Sequence, residues 1–127
     1  QDGLPAFARL WRKVESCLRL EMSPELDLLA FHPARRDRGP GCSDDPTDAG
    51  HFSTRAPFPT LQLLRCRDLE SARAEWAAKH GGPGALGLLY ANKRKLRALG
   101  TPALEAHLRR WRSWSTSQSP KIDMQSV

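Results

Sequence analysis

The sequence is poor in cysteine and has no long apolar run. Its three cysteines, Cys17, Cys42 and Cys66, are odd in number and widely spaced, so they form neither a disulfide framework nor a paired CxxC zinc motif. Cys17 falls on the apolar face of a predicted helix and Cys66 at the end of a predicted strand, so we expect buried free thiols and a reducing compartment. No segment approaches the ~18 consecutive apolar residues of a membrane span, which predicts a soluble or peripheral protein.

Signatures of catalysis are missing as well. The chain has no Ser/His/Asp order, no glycine-rich phosphate loop and no spacing typical of metal ligands. His51 follows Cys42 by nine residues, which is not a zinc spacing. We therefore expect a protein without catalytic residues, metal or cofactor.

The chain is rich in arginine, and its positive charge is unevenly distributed. The 127 residues carry a net charge of +6, with 15 arginines against 5 lysines. Up to Leu64 there are 8 basic and 9 acidic residues, whereas from Arg65 onward there are 12 and 5. Guanidinium groups suit bidentate contacts with phosphates and carboxylates, although GC-rich codon usage would also produce this ratio. The C-terminal half should therefore face a polyanion or an acidic protein surface.

The pattern of apolar residues predicts a single α+β domain over residues 1–114, with about four helices and a small sheet. Apolar residues at three- and four-residue steps from Leu4 to Leu18 indicate an amphipathic helix. Two strands are predicted at about 26–31 and 60–66, separated by a loop over 35–50. Leu63 is expected to lie in the core. Because two strands make a poor sheet, a further strand should come from a weakly marked segment or a neighbouring chain.

Three more helices and an arm are predicted after the second strand. The first helix should be capped by Asp68 and closed by Gly81-Gly82, and the second should run over about 84–99. The last helix should begin at Thr101-Pro102, and its predicted inward residues are Leu104, Leu108 and Trp111. Residues 115–127 predict an extended or disordered arm, since the serine-rich stretch after Trp114 has nothing to bury. Trp114 is expected to anchor this arm to a partner.

Two fragments carry a recognisable motif. Phe31-His32-Pro33 closes the first predicted strand, Asp45-Pro46 lies in the loop, and Phe52-Ser53-Thr54-Arg55-Ala56-Pro57-Phe58-Pro59 leads into Leu61-Gln62-Leu63-Leu64-Arg65. This order resembles an uncharacterised family, domain of unknown function 1415, found in bacteria and plastid-bearing eukaryotes. That family has Phe-His-Pro, then Asp-Pro, then an aromatic-Thr-Asn-Arg-Ser-Pro-Tyr-Pro stretch and Leu-His-Leu-Leu-Arg. The resemblance identifies a related family but does not indicate a reaction.

Several polar residues of the family pattern are replaced in this chain. Thr54, Ala56 and Gln62 stand where the family has Asn, Ser and His. The family's N-terminal half, with its Cys-Pro-Phe segment, has no counterpart here. The resemblance therefore implies a truncated, divergent relative that keeps the fold and has lost any site needing both halves.

The polar motif residues that still match the family are His32, Arg55 and Arg65, and they form the first candidate site. Histidine and arginine at strand ends can converge on a carboxylate or phosphate, which would make a vestigial anion site. The simpler interpretation is that His32 bonds loop backbone while the arginines pair with the loop aspartates 44, 45 or 48. Acid–base catalysis needs a second titratable partner, and the motif offers none.

The second candidate site lies on the last two helices. Basic side chains neutralise phosphates, and an exposed indole can stack on a base. The same residues would serve in docking against another protein, or simply form a solvated face. The candidate contacts are Lys93, Arg94, Arg97, Arg109, Arg110, Arg112 and Trp114.

These features favour a non-catalytic accessory subunit of a large organellar assembly. A mitochondrial ribosome suits the late excess of arginine and lysine, and a respiratory-chain complex suits an arginine-rich accessory domain equally well. The expected partners are other subunits and ribosomal RNA, and the expected location is the mitochondrial matrix side, with the plastid as the alternative. The first residue, Gln1, would fit removal of a targeting segment. A residual anion-binding enzyme using His32, Arg55 and Arg65 is the alternative function.

Overall fold

The computed structural model describes residues 3–21, 25–81 and 84–118, which form an α+β domain. Helix α1 is followed by strand β1, a long loop that contains a short 3₁₀ helix, strand β2, and helices α2, α3 and α4. Their bounds are α1 Gly3–Glu21, β1 Leu26–Phe31, the 3₁₀ helix Ala49–Thr54, β2 Thr60–Arg65, α2 Cys66–His80, α3 Gly84–Leu99 and α4 Thr101–Gln118. The predicted fold class, a small sheet packed with helices, is confirmed.

The two predicted strands form an antiparallel pair. Leu26 lies opposite Arg65 and Phe31 lies opposite Thr60. Strand β1 has the predicted bounds, whereas β2 ends at Arg65 because Cys66 already belongs to α2. The described residues contain these two strands and no third one, so the further strand that we expected is not found among them.

The sheet buries β1 more fully than β2. Leu28 and Ala30 are buried, whereas Leu63, the cross-strand neighbour of Leu28, is 52% exposed. Cross-strand neighbours share a face of the sheet, and α1 packs against β1, with Phe7 beside His32 at the end of that strand. The expectation that Leu63 is a core residue is therefore wrong, because the covering helix lies over its neighbour's strand.

The largest apolar cluster lies beside the sheet, where the 3₁₀ helix meets α3 and α4. Phe52 and Ala49 from the 3₁₀ helix pack with Leu104 of α4, and Leu96 and Leu108 are partly buried against them. Leu104 and Leu108 thus occupy the inward positions that the sequence predicted. Part of the core is therefore supplied by the segment that links the two strands, which was predicted as loop up to residue 50.

Some of the predicted helix ends agree with the structure and others do not. Gly81 and Gly100 follow α2 and α3 with positive φ values of 59° and 84°, conformations that favour glycine at helix ends. Asp68 is not the cap of α2, since the helix begins at Cys66 and Asp68 lies inside its first turn. Thr101 begins α4, and its hydroxyl donates to the carbonyl of Thr47 at 2.7 Å, so this side chain ties α4 to the loop.

The C-terminal half of α4 departs most from the prediction. Trp111 was expected in the core but is 66% exposed. Helix α4 also continues to Gln118, so the first four residues of the predicted arm are helical. Residues 119–127 lie outside the described residues. Burial decreases from Leu104 to Leu108 to Trp111 because the helix runs on past the 3₁₀ helix that covers its first turns.

Two of the three cysteines also differ from expectation. Cys17 is exposed, and Cys66 is half-buried at the start of α2. In α1, Phe7 is buried but Leu10 is 53% exposed, so the apolar face of this helix is covered less completely than its spacing suggests. Within the described ranges, no helix is long and apolar enough to span a membrane.

Candidate functional site

His32 has a structural environment at the end of β1. Its ring Nδ1 accepts a hydrogen bond from the amide of Ala34 at 3.1 Å, and its own amide donates to the carbonyl of Thr54. The ring lies 5.4 Å from the ring of Phe7, centroid to centroid. Burial lowers the pKa of His32, so the ring is neutral at physiological pH. His32 therefore bonds loop backbone, as the simpler interpretation proposed.

The two arginines of the first candidate site lie far apart. Arg55 follows the 3₁₀ helix near His32, whereas Arg65 pairs with Leu26 at the opposite end of the sheet. Arg65 lies five residue steps along the strand from Thr60, which corresponds to roughly 17 Å. His32, Arg55 and Arg65 are therefore not brought together. Of the loop aspartates proposed as partners of these arginines, Asp48 pairs with Arg97 instead.

Lys93 lies in a buried polar cluster and does not face solvent. It is 1% exposed, and its Nζ lies 3.1 Å from Oδ2 of Asp37 and donates to the carbonyl of Pro40. Burial alone would lower the pKa of Lys93, but hydrogen bonds to Cys42 and Asp37 raise it. The predicted role of Lys93 in RNA or partner contact is therefore wrong, because its charge is used inside the domain.

The carboxylate of Asp37 has several hydrogen-bond and ion-pair partners. It accepts hydrogen bonds from the amide of Gly39 at 2.8 Å and from the hydroxyl of Ser53 at 2.8 Å. Burial alone would raise the pKa of Asp37, but these hydrogen bonds and Lys93 lower it to about 2. Burial raises the pKa of the neighbouring Cys42 thiol. The cluster thus contains an ion pair and a neutral thiol that fix the loop to α3.

Arg97 forms a second tie between α3 and the loop. Its guanidinium donates to both carboxylate oxygens of Asp48, at 3.0 and 2.8 Å, and to the carbonyl of Gly41. Asp48 also accepts from the amide of Gly50 and so caps the 3₁₀ helix. The hydrogen bonds from Arg97 and Gly50 hold the pKa of Asp48 far below its usual value. Like Lys93, Arg97 is engaged in the fold.

These ties predict a loss of stability in acid. Asp37 and Asp48 have lower pKa values in the folded chain than in the unfolded chain, so their contribution to stability is present above about pH 4 and is lost as the pH falls toward about 2. We expect the urea midpoint to fall steeply over this window. Asp48→Asn should reduce the slope of the midpoint against pH, because one of the two titrating groups is removed. An equal slope in the variant would contradict the assignment.

His51 belongs to the same network and was missed by the sequence reading. It is 1% exposed; its Nδ1 accepts from the amide of Asp37 at 3.1 Å, and its Nε2 donates to the carbonyl of Asp45 at 2.8 Å. Both ring nitrogens are therefore used to hold the loop. The described residues contain no group of three His, Cys, Asp or Glu side chains arranged to hold a metal ion.

The remaining basic candidates lie on exposed helix faces. Arg94 is exposed on α3, and Arg109, Arg110 and Arg112 are exposed on α4. Trp114 is 65% exposed and lines an open groove of about 750 Å³. The other described residues that line this groove are His107, Arg110, Trp111 and Ser115. We call it the tryptophan groove.

The opposite face of α4 lines a smaller cavity of about 210 Å³. Arg109 and Arg112 reach it from α4, and Arg55 reaches it from the segment after the 3₁₀ helix. Residues 105, 108, 109 and 112 share one side of an α-helix, and residues 107, 110, 111 and 114 share the other. The structure therefore separates the basic residues of α4 into two sites that the sequence reading had grouped together.

Comparison with known proteins identifies the family of the domain but does not indicate an activity. No curated protein and no solved structure matches the chain significantly. A family model described as "Protein of unknown function (DUF1415)" matches residues 4–105, from α1 to the first turns of α4. The tryptophan groove lies beyond the matched residues. Because the match covers most of the chain, this protein belongs to the DUF1415 family of unknown function.

Proposed function

We propose that this chain is a non-catalytic accessory subunit that docks onto another protein subunit through the tryptophan groove. The observation that carries the proposal is the exposure of Trp111 and Trp114, at 66% and 65%, on one side of α4. Single exposed apolar residues are normal on protein surfaces, but two neighbouring indoles beside an arginine are unusual. Tryptophan and arginine are also the residue types most enriched at interface hot spots.

The charge distribution favours a protein partner over RNA. Lys93 and Arg97 form internal ion pairs, so the basic surface available for phosphates is smaller than the sequence suggested. Among the described residues, the groove has one arginine beside two indoles, which suits a partner surface with apolar side chains and an acidic residue. Phosphate-backbone binding usually needs several neutralising cations.

A structural role for the histidines supports the absence of catalysis in this proposal. His32 and His51 both use ring nitrogens to bond backbone groups, so neither is poised as a general base. The alternative of an anion-binding enzyme using His32, Arg55 and Arg65 is weaker because these side chains do not converge. An organellar assembly, either the mitochondrial ribosome or a respiratory-chain complex, stays our prediction for the host, with the mitochondrial matrix as its location.

The proposal predicts that Trp111→Ala together with Trp114→Ala abolishes assembly without unfolding the domain. Surface substitutions usually change stability by about 0.5 kcal/mol or less, so the melting temperature should barely change. In cells of the source organism, the tagged wild-type chain should sediment with a large particle on a density gradient, and the double variant should remain in the light fractions. Leu99→Ala is the matched control, because Leu99 is a 58% exposed apolar residue on α3.

Two outcomes would contradict docking on a protein. If the double variant still sediments with the particle, the groove is not the attachment site. If attachment is instead lost after ribonuclease treatment and weakens steeply with salt, the partner is RNA. Attachment that resists ribonuclease and depends little on salt is the result that we expect.

A further inference from the structure

The small cavity beside α4 has features of a ligand site that are independent of the tryptophan groove. Arg55, Arg109 and Arg112 line it together with one carboxylate, Glu105. The other described residues of its lining are apolar: Pro33, Phe52, Pro57 and Leu108. Small-molecule sites commonly combine apolar side chains with a few polar groups that fix the orientation of the ligand.

The guanidinium of Arg55 is oriented by the protein before any ligand arrives, and that of Arg112 lies over an aromatic ring. The Nε of Arg55 donates to the carbonyl of Arg35 at 2.9 Å, and its guanidinium lies 4.6 Å from the ring centroid of Phe52. The guanidinium of Arg112 lies 5.6 Å from the ring centroid of Phe58. Because the Nε of Arg55 already donates to the carbonyl of Arg35, the terminal nitrogens of Arg55 are the donors available to a ligand. Such pre-orientation lowers the entropy cost of binding.

The charge of the cavity is unbalanced. Three arginines face one glutamate, and none of the three forms an ion pair with a described residue. Burial lowers the pKa of Arg55, and Glu105 offsets this only in part; the group nevertheless stays protonated at physiological pH. A bound anion would complement the excess of positive charge in this lining.

We propose that this cavity binds a small organic anion, with a phosphate or carboxylate head held by Arg55, Arg109 and Arg112 and an apolar part packed against Phe52 and Leu108. Guanidinium groups pair with both kinds of oxyanion through parallel N–H···O bonds. The apolar lining requires a non-polar substituent on the ligand, so a free inorganic ion should bind less well. This binding site goes beyond the docking role proposed above and does not depend on it.

The site can be tested by calorimetric titration of the full chain with phenyl phosphate, benzoate and inorganic phosphate. We expect saturable binding of phenyl phosphate or benzoate, and the tighter of the two identifies the preferred head group. Inorganic phosphate should bind more weakly than phenyl phosphate. Arg109→Gln with Arg112→Gln should weaken binding by about ten-fold or more, because two charge-assisted contacts are lost. Both residues are exposed, so the double variant should fold normally.

Matched variants separate a specific site from general attraction of anions. Arg110→Gln removes the same charge from the opposite side of α4 and should leave binding within about two-fold, since exposed charges act weakly over such distances. Arg55→Lys keeps the charge but loses the planar donor pair, so it should weaken binding. The proposal is overturned if no probe binds saturably, if Arg110→Gln weakens binding as much as the cavity variants do, or if inorganic phosphate binds as tightly as phenyl phosphate.

Discussion

Lys93→Ala should lower the free energy of unfolding by about 3–5 kcal/mol, the cost of removing one partner from a buried ion pair. Lys93 is 1% exposed, and its ammonium group is the cationic partner of Asp37. Its removal leaves the carboxylate with neutral hydrogen-bond donors from Gly39 and Ser53. It also leaves the carbonyl of Pro40 without its donor. The effect can be measured by urea denaturation.

Two further variants isolate the ion pair from a general effect of substitution on α3. Lys95→Ala removes an exposed lysine two residues away and should change stability by about 0.5 kcal/mol or less. Asp37→Asn combined with Lys93→Met removes both charges and should recover much of the loss, since uncharged replacements of similar size avoid the cost of burying ions. If Lys93→Ala proves as mild as Lys95→Ala, the buried ion pair does not stabilise the domain.

Lys93 also shows where a sequence stops being informative. Lys93-Arg94-Lys95 on a helix predicts a solvated basic face, and the helix itself was predicted with its correct bounds. The partner that buries Lys93 lies in a loop 56 residues earlier, where no periodicity marks which side chains turn inward. Helices and strands repeat, so their bounds are readable. A contact between a helix and an irregular loop has no repeat and is visible only in the fold.

Trp111 illustrates a related limit. The spacing of Leu104, Leu108 and Trp111 is that of one helix face, and the first two residues of this series do face the core. The apolar pattern gives the direction of a side chain but not how far the covering elements extend. The same face of α4 that is buried at Leu104 is exposed to solvent at Trp111.

The composition of the candidate sites also depends on tertiary packing that the sequence pattern does not reveal. Arg55 and Arg109 were both marked by the sequence, one through a family motif and one through a charge run, but as members of different sites. The chain brings them together because α4 packs against the 3₁₀ helix that precedes Arg55. Arg65 shares the motif with Arg55 but lies at the other end of β2. Residue types were therefore predictable, whereas their grouping depended on the packing of α4.

Phe52→Ala should cost about 3–5 kcal/mol, the usual loss when a buried aromatic side chain is truncated. Phe52 is 9% exposed and joins Ala49 to Leu104 in the core between the 3₁₀ helix and α4. Small domains are stable by only about 5–15 kcal/mol, so this loss would remove a large part of the total. Thermal and urea unfolding would both report it.

Leu63→Ala is the matched comparison, because the motif places Leu63 in an apolar strand but the structure leaves it 52% exposed. Its cost should be about 1 kcal/mol or less, since little apolar surface is lost from the interior. Phe52→Leu adds a second control, because it keeps an apolar side chain and removes the ring beneath Arg55. Equal costs for Phe52→Ala and Leu63→Ala would contradict the conclusion that packing between the 3₁₀ helix and α4 stabilises the domain more than the exposed strand does. In that case neither the small cavity beside α4 nor the tryptophan groove would rest on a rigid support.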